Sequence, residues 1–214
     1  MSAGHPHRRP NERHDHELDA LRAEPAVRRR LALRFRLDTN HDVADLAGYS
    51  TTGGVIYVDR HLYAALRAGM IELPGRPAGE TVHLIVHALA THEHTEKSLI
   101  DAKGFSYPAA HEFATLAEHQ ALRRRGVAPF AYEAALRPYI KRAAAEQIEV
   151  PPKDLDCTPL LDDPDHNDRR VLAVYRQLGV DDAIRRGSEH DIALPNKDEP
   201  PGGPLPPPPP PPPP

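Results

Sequence analysis

The residues best suited to chemistry cluster between His83 and His119, a stretch that holds six of the chain's fourteen histidines. Within it, His92-Glu93-His94-Thr95-Glu96 forms an HExxE pattern. Residues four apart on a helix lie one above the other, so His92 and Glu96 can reach a single ion, as the two histidines of an HExxH helix do. Imidazole and carboxylate are both ligands that zinc accepts. Glu93, one step round the helix, is then placed to act as general base toward a water activated by the metal. The third ligand has two candidates downstream, His111 and Glu118.

These side chains need two helices to position them. The first is expected over roughly residues 81–103: no proline interrupts it, and Lys103-Gly104 supplies a basic last turn followed by a left-handed stop. At 100° per residue, Ile85, Ala88, Leu89, Leu99 and Ile100 share a face. His92 and Glu96 fall in the middle of that face and Glu93 on its edge. His83, His87 and His94 point the other way, with Lys97 and Ser98. An ionisable pair aimed at the core is costly unless something binds it. The second helix begins near Ser106, a candidate N-cap with Pro108 behind it, and ends at Arg123-Arg124-Arg125-Gly126. Its apolar stripe is Tyr107, Ala110, Phe113, Ala114, Ala117 and Ala121, with His111 and Glu118 on one border. A short glycine turn makes the two helices antiparallel neighbours and brings His111 or Glu118 toward His92 and Glu96. Two helical turns separate these two candidates, so both can be ligands only if the helices cross favourably. His83 and His87, also four apart, define a possible second site on the outer face, but no carboxylate lies among them.

The HExxEK helix ending in Lys97, the Tyr107-Pro108-Ala109-Ala110-His111 run with Ala114-Thr115 and Glu118, and the upstream Ile56-Tyr57-Val58-Asp59-Arg60 resemble a family of uncharacterised bacterial proteins. Its members share an HExxEK helix, a YxxAHxxATxxE helix and an IYxDR strand. The resemblance covers roughly residues 52–160. In layout it is similar to small gluzincin-type, zincin-like metallopeptidases: a strand, a metal-binding helix, then a helix supplying the third ligand. It implies roles for His92, Glu93, Glu96, His111 and Glu118, and turns Asp59-Arg60 toward the metal helix. Glu96 departs from the zincin pattern, which carries histidine there.

The rest of the chain bounds these readings. With a net charge of −4 and a pI near 6.4, nothing draws it globally to nucleic acid. One cysteine, Cys157, excludes an intrachain disulfide framework and suits a reducing compartment, so a cytoplasmic protein is expected. No apolar run is long enough for a membrane span. Residues 1–25, rich in His and Arg, read as a disordered tail, and 187–214 as a second one. The second tail ends in nine consecutive prolines, a polyproline II rod able to dock in an aromatic groove of a partner domain. Arg30 to Leu37 alternates as a half-buried strand with a basic outer face, and Val55 to Val58 as a second strand. Asp42 to Gly48 reads as a helical turn, Leu62 to Ala68 as a short helix, and 69–79 as a loop able to act as a lid. A third helix is expected from Phe130, with Pro138 inside it. An acidic loop over 151–163 follows, from which Asp154 and Asp156 could reach a metal, and then a last helix over 168–178.

The expected fold is therefore α+β over residues 26–186, a small antiparallel sheet packed against a metal-bearing helical hairpin and further helices. The expected function is a zinc-dependent hydrolase of peptide or amide substrates, with His92, Glu96 and His111 or Glu118 holding zinc, and Glu93 as base. The alternative is a non-catalytic binding protein in which the same cluster is a structural metal site or a buried polar network, and the proline-rich tail recruits the partner.

Overall fold

Helix α4 (Ala78–Lys103) forms the axis around which the other elements pack. The computed structural model describes residues 10–31, 35–140, 148–162 and 168–180. Around α4 come α1 (Pro10–Ala23), α2 (Pro25–Leu31), β1 (Arg36–Asp38), β2 (Ala47–Tyr49), β3 (Val55–Val58) and α3 (Arg60–Arg67) before it in the chain. After it come α5 (Tyr107–Arg124), α6 (Pro129–Ile140), α7 (Thr158–Asp162) and α8 (Asp168–Gln177). The fold class is α+β.

α4 and α5 form the expected hairpin. Gly104 ends α4 in the left-handed region (φ 65°), and Ser106 takes the N-cap position of α5 in extended conformation. Ala110, Ala114 and Ala117 are buried along the seam, and their small side chains let the two helices approach closely. α4 is more deeply enclosed than its amphipathic pattern suggests. Thr95 through Leu99 are all buried, Lys97 and Ser98 included, because the sheet, α2 and the 149–157 strap cover the face expected to be outward.

The sheet is mixed rather than antiparallel, in the order β1-β3-β2. β2 runs antiparallel to β3 with Gly48 opposite Tyr57; β1 runs parallel to β3 with Leu37 opposite Ile56. The cause is a reversal in the stretch expected to be a helical turn. Asp45 (φ 50°) and Leu46 (φ 74°) turn the chain through left-handed conformations, and 47–49 then form a strand on the far edge of β3. Two reversals between β1 and β3 leave those two strands parallel. Gly48 is the residue that fits here, since a Cβ on it would lie 3.0 Å from Leu155 Cδ1.

Other expectations fail in the N-terminal region. Residues 10–23 form α1 instead of a tail, with Leu18 fully buried and the Arg22 guanidinium donating to Gln120 on α5 (3.0 Å). α2 places Val27 against Leu99 and Ala110, in a cluster with Leu21, Phe105 and Phe113. These helices are too polar to signal themselves; their stability comes from docking across the α4/α5 hairpin. Of the alternating strand Arg30–Leu37, only Arg36 and Leu37 are in β1, while Arg30 and Leu31 end α2. Phe35 and Leu37, expected to face inward, are exposed. Pro25 opens a helix that runs through the first part of the alternation. Asp59 caps α3, accepting from the backbone N–H groups of His61 and Leu62. The 151–163 loop is a strap: Leu155 bridges to Ser50, Asp156 N–H donates to Tyr49 O (2.9 Å), and α7 follows. The proline-rich segment lies outside the described residues. Among the described residues no helix is long and apolar enough to cross a membrane.

Candidate metal centre

His92 projects from α4 into the α4/α5 seam and meets α5 with both ring nitrogens. Its Nδ1 lies 3.1 Å from Glu118 Oε2, and its Nε2 lies 3.2 Å from His111 Nδ1. The two-turn separation of His111 and Glu118 is thereby resolved: the ring spans it, one partner at each edge. Glu96, one turn along α4, brings Oε2 to 3.5 Å from His92 Nε2 and 2.9 Å from His111 Nδ1. Three potential ligand atoms thus stand at the corners of a triangle with sides of 2.9, 3.2 and 3.5 Å. Two ligands of a tetrahedral zinc, each about 2.0–2.1 Å from the metal, are about 3.3 Å apart. The His92, Glu96 and His111 group has the geometry to hold a metal ion.

Glu118 does not belong to that group. It accepts from His92 Nδ1–H and from the buried hydroxyl of Tyr132 on α6. A carboxylate there orients the ring with Nε2 toward His111 and Glu96, as outer partners commonly orient a histidine ligand. Tyr49 on β2 stands beside Glu96: burial, then the charge of that carboxylate, holds its phenol well above the usual range. The phenol of Tyr107 lies 3.4 Å from His111 Nδ1, so each member of the triad has a tyrosine in its surroundings. Lys97, the residue after Glu96, is buried between Asp101 and Asp156, 2.9 Å from each, and sits 5.4 Å from the Tyr49 ring centre. It ties α4 to the strap that runs beside β2.

The electrostatics are those of a compact acid–base cluster. Burial opposes charge on His92, but its hydrogen bonds to Glu118 and Glu96 outweigh it and hold the imidazolium well above the ordinary histidine range. Burial likewise works against ionised Glu96 and Glu118; the hydrogen bonds from His111 and His92 to the former, and from His92 and Tyr132 to the latter, keep both carboxyls below their usual range. Glu93 behaves in the opposite way. Burial pushes it up to about 8, helped by the charges of Glu96 and Glu118 and opposed by His92.

Comparison of the whole chain with known proteins adds nothing to this geometry. No family model, no curated protein and no solved structure matches it.

The triad opens into a cavity of about 530 Å³, a size typical of ligand sites. Its walls come from the 43–49 segment, α4 (His92, Glu93 and Glu96), α5, α6 and the strap. Glu96 is buried, whereas the His111 side chain is 49% exposed, so the centre is accessible from the α5 side. The loop 69–79, expected as a lid, contributes none of the lining residues. Asp154 instead accepts from the Tyr57 hydroxyl, and Asp156 from Lys97, so neither acidic strap residue joins the triad. Asp59 and Arg60 also stand apart from it; Arg60 pairs with Asp42 and Glu149. His83 and His87 face one another at 6.2 Å between ring centres and His94 packs on Phe35, but among the described residues only His92, Glu96 and His111 form a metal-capable group. Cys157 is fully buried, and burial pushes its thiol up to about 12, which leaves it inert as a nucleophile.

Sequence reasoning singles out neither Tyr49 nor Tyr132. A tyrosine on an otherwise apolar face is a signal in itself, because its hydroxyl needs a partner once buried. What that partner would be was not readable before α6 and β2 were placed against the hairpin.

Proposed function

We propose that this protein is a zinc-dependent hydrolase of amide or peptide bonds, zincin-like in layout, with His92, Glu96 and His111 as metal ligands. The observation that carries the reading is the ligand triangle at tetrahedral spacing, facing a cavity also lined by Glu93. Three protein ligands leave a position open, which distinguishes catalytic from structural zinc sites. A zinc ion held by His92, Glu96 and His111 would supply Lewis acidity toward a substrate carbonyl and toward water near neutral pH. Glu93, raised to about 8, takes the proton of the attacking water and delivers it to the departing amine. Glu118 holds His92 with Nε2 directed into the centre, and the Tyr49 phenol stands beside Glu96.

The competing reading is a metal-free polar network in which a proton occupies His92 Nε2, and the raised His92 favours it. Elemental mass spectrometry of the full chain, beside a His92→Ala/Glu96→Ala variant, separates the two. About one zinc per chain, lost in the variant, is expected; no zinc in a folded wild-type protein overturns the proposal. Glu93→Gln should retain the zinc and lose cleavage of a mixed peptide library.

A further inference from the structure

We infer that the cavity over the His92–Glu96–His111 centre selects amide substrates flanked by a lysine or arginine side chain, an inference that rests on the hydrolase reading. The cavity wall is rich in acidic side chains. It includes six of them, Asp45, Glu93, Glu96, Glu118, Glu133 and Asp156, and among the described residues no lysine or arginine lines it. Of the inner members, Glu96 and Glu118 are engaged with imidazoles and Asp156 with Lys97 behind the wall. Two members are exposed and so lie toward the opening, Asp45 on the turn before β2 and Glu133 on α6. Glu133 is paired at 2.9 Å with His119, which also lines the cavity, and its side chain is 51% exposed. It can therefore exchange that partner for a ligand cation.

Part of the remaining wall is apolar, with Leu136 and Ile140 on α6 lining the same space as Pro159 and Leu160 on α7. An apolar wall leading to an acidic mouth suits a side chain with a methylene stem and a cationic head. A concave, low-dielectric mouth carrying Asp45 and Glu133 focuses its field on the ligand, so the same surface disfavours an acidic side chain.

The test uses three amino-acid hydroxamates that differ only in the side chain: lysine, norleucine and glutamate. Each is titrated calorimetrically into the zinc-loaded full chain and into Glu133→Gln and Asp45→Asn variants. Lysine hydroxamate should bind about tenfold more tightly than the glutamate compound, with norleucine between. Glu133→Gln should reduce the lysine-to-norleucine ratio about threefold, and raised salt should reduce it in wild type. Equal binding of all three overturns charge selection and leaves the open metal site standing. Failure of every hydroxamate to bind a zinc-loaded protein overturns the open site, and this inference with it.

Discussion

Two buried carboxylate centres in this molecule solve the same problem in opposite ways. At the corner where α3 meets the strap, Asp42 is 1% exposed and saturated by the protein: it accepts from Glu149 N–H and Val150 N–H, both at 2.8 Å, and from the Arg60 guanidinium. Burial alone would raise its carboxyl, yet these donors bring it below the usual carboxylate range. Every lone pair turned inward has a hydrogen to meet, so the centre is closed. In the α4/α5 seam, Glu96 shares its space with two imidazole nitrogens, and three potential acceptor atoms converge on a single point. One centre is completed by its own chain, the other by an ion or by an extra proton. The lesson is that burial of a charged group does not mark a site; convergence of acceptors without matching donors does.

The comparison can be broken most strongly at the open centre. Excess zinc at a thousand times its Kd should stabilise the wild-type protein by about 4 kcal/mol, a rise on the order of 10 °C in thermal midpoint, abolished by chelator or by His92→Ala. A midpoint indifferent to zinc would make the two centres equivalent. The closed centre should respond to mutation instead. Asp42→Ala leaves two strap N–H groups without their acceptor and should cost about 3 kcal/mol in urea unfolding, with zinc stoichiometry unchanged.

The same residue predicts an acid dependence. Asp42 is held below its unfolded value, so its contribution is present above the unfolded pKa near ~3.9 and lost as pH falls through the folded one. The stability gap between wild type and Asp42→Asn should therefore narrow below about pH 4. A gap constant from neutral to acid pH would remove Asp42 as the closing charge.

A smaller effect sharpens the role of Glu118. Glu118→Gln should weaken zinc binding about tenfold in a competition titration, because the neutral amide orients His92 less firmly than a carboxylate. Because metal must displace the proton that the raised His92 holds on Nε2, zinc affinity in wild type should fall with acidification, and Glu118→Gln should shift that dependence to lower pH. Tyr49→Phe, which removes only the hydroxyl beside Glu96, should cost least, about threefold in the same titration, equivalent to roughly 0.7 kcal/mol. An unaltered affinity would restrict Tyr49 to a packing role.

Much of the site was legible in the chain. The spacing of His92 and Glu96 identified two of the three triad members, and the hairpin followed from the Gly104 stop and the Ser106 start. These are local matters: helix periodicity and termini depend on residues within a turn or two of each other. The sequence also determined that His111 and Glu118 border one stripe of α5. It could not choose between them as third ligand, since that depends on how α5 crosses α4. The tertiary structure groups His111, and not Glu118, with His92 and Glu96, by placing His92 between the two candidates, His111 on the Nε2 side and Glu118 on the Nδ1 side. It also decided that α1 docks, that β2 is a strand and that Lys97 is buried. The physical reason is common to all three. Their free energy comes from neighbours far away in the chain, Gln120 for α1, Val58 for β2 and Asp156 for Lys97, and no local pattern encodes a partner that only folding supplies.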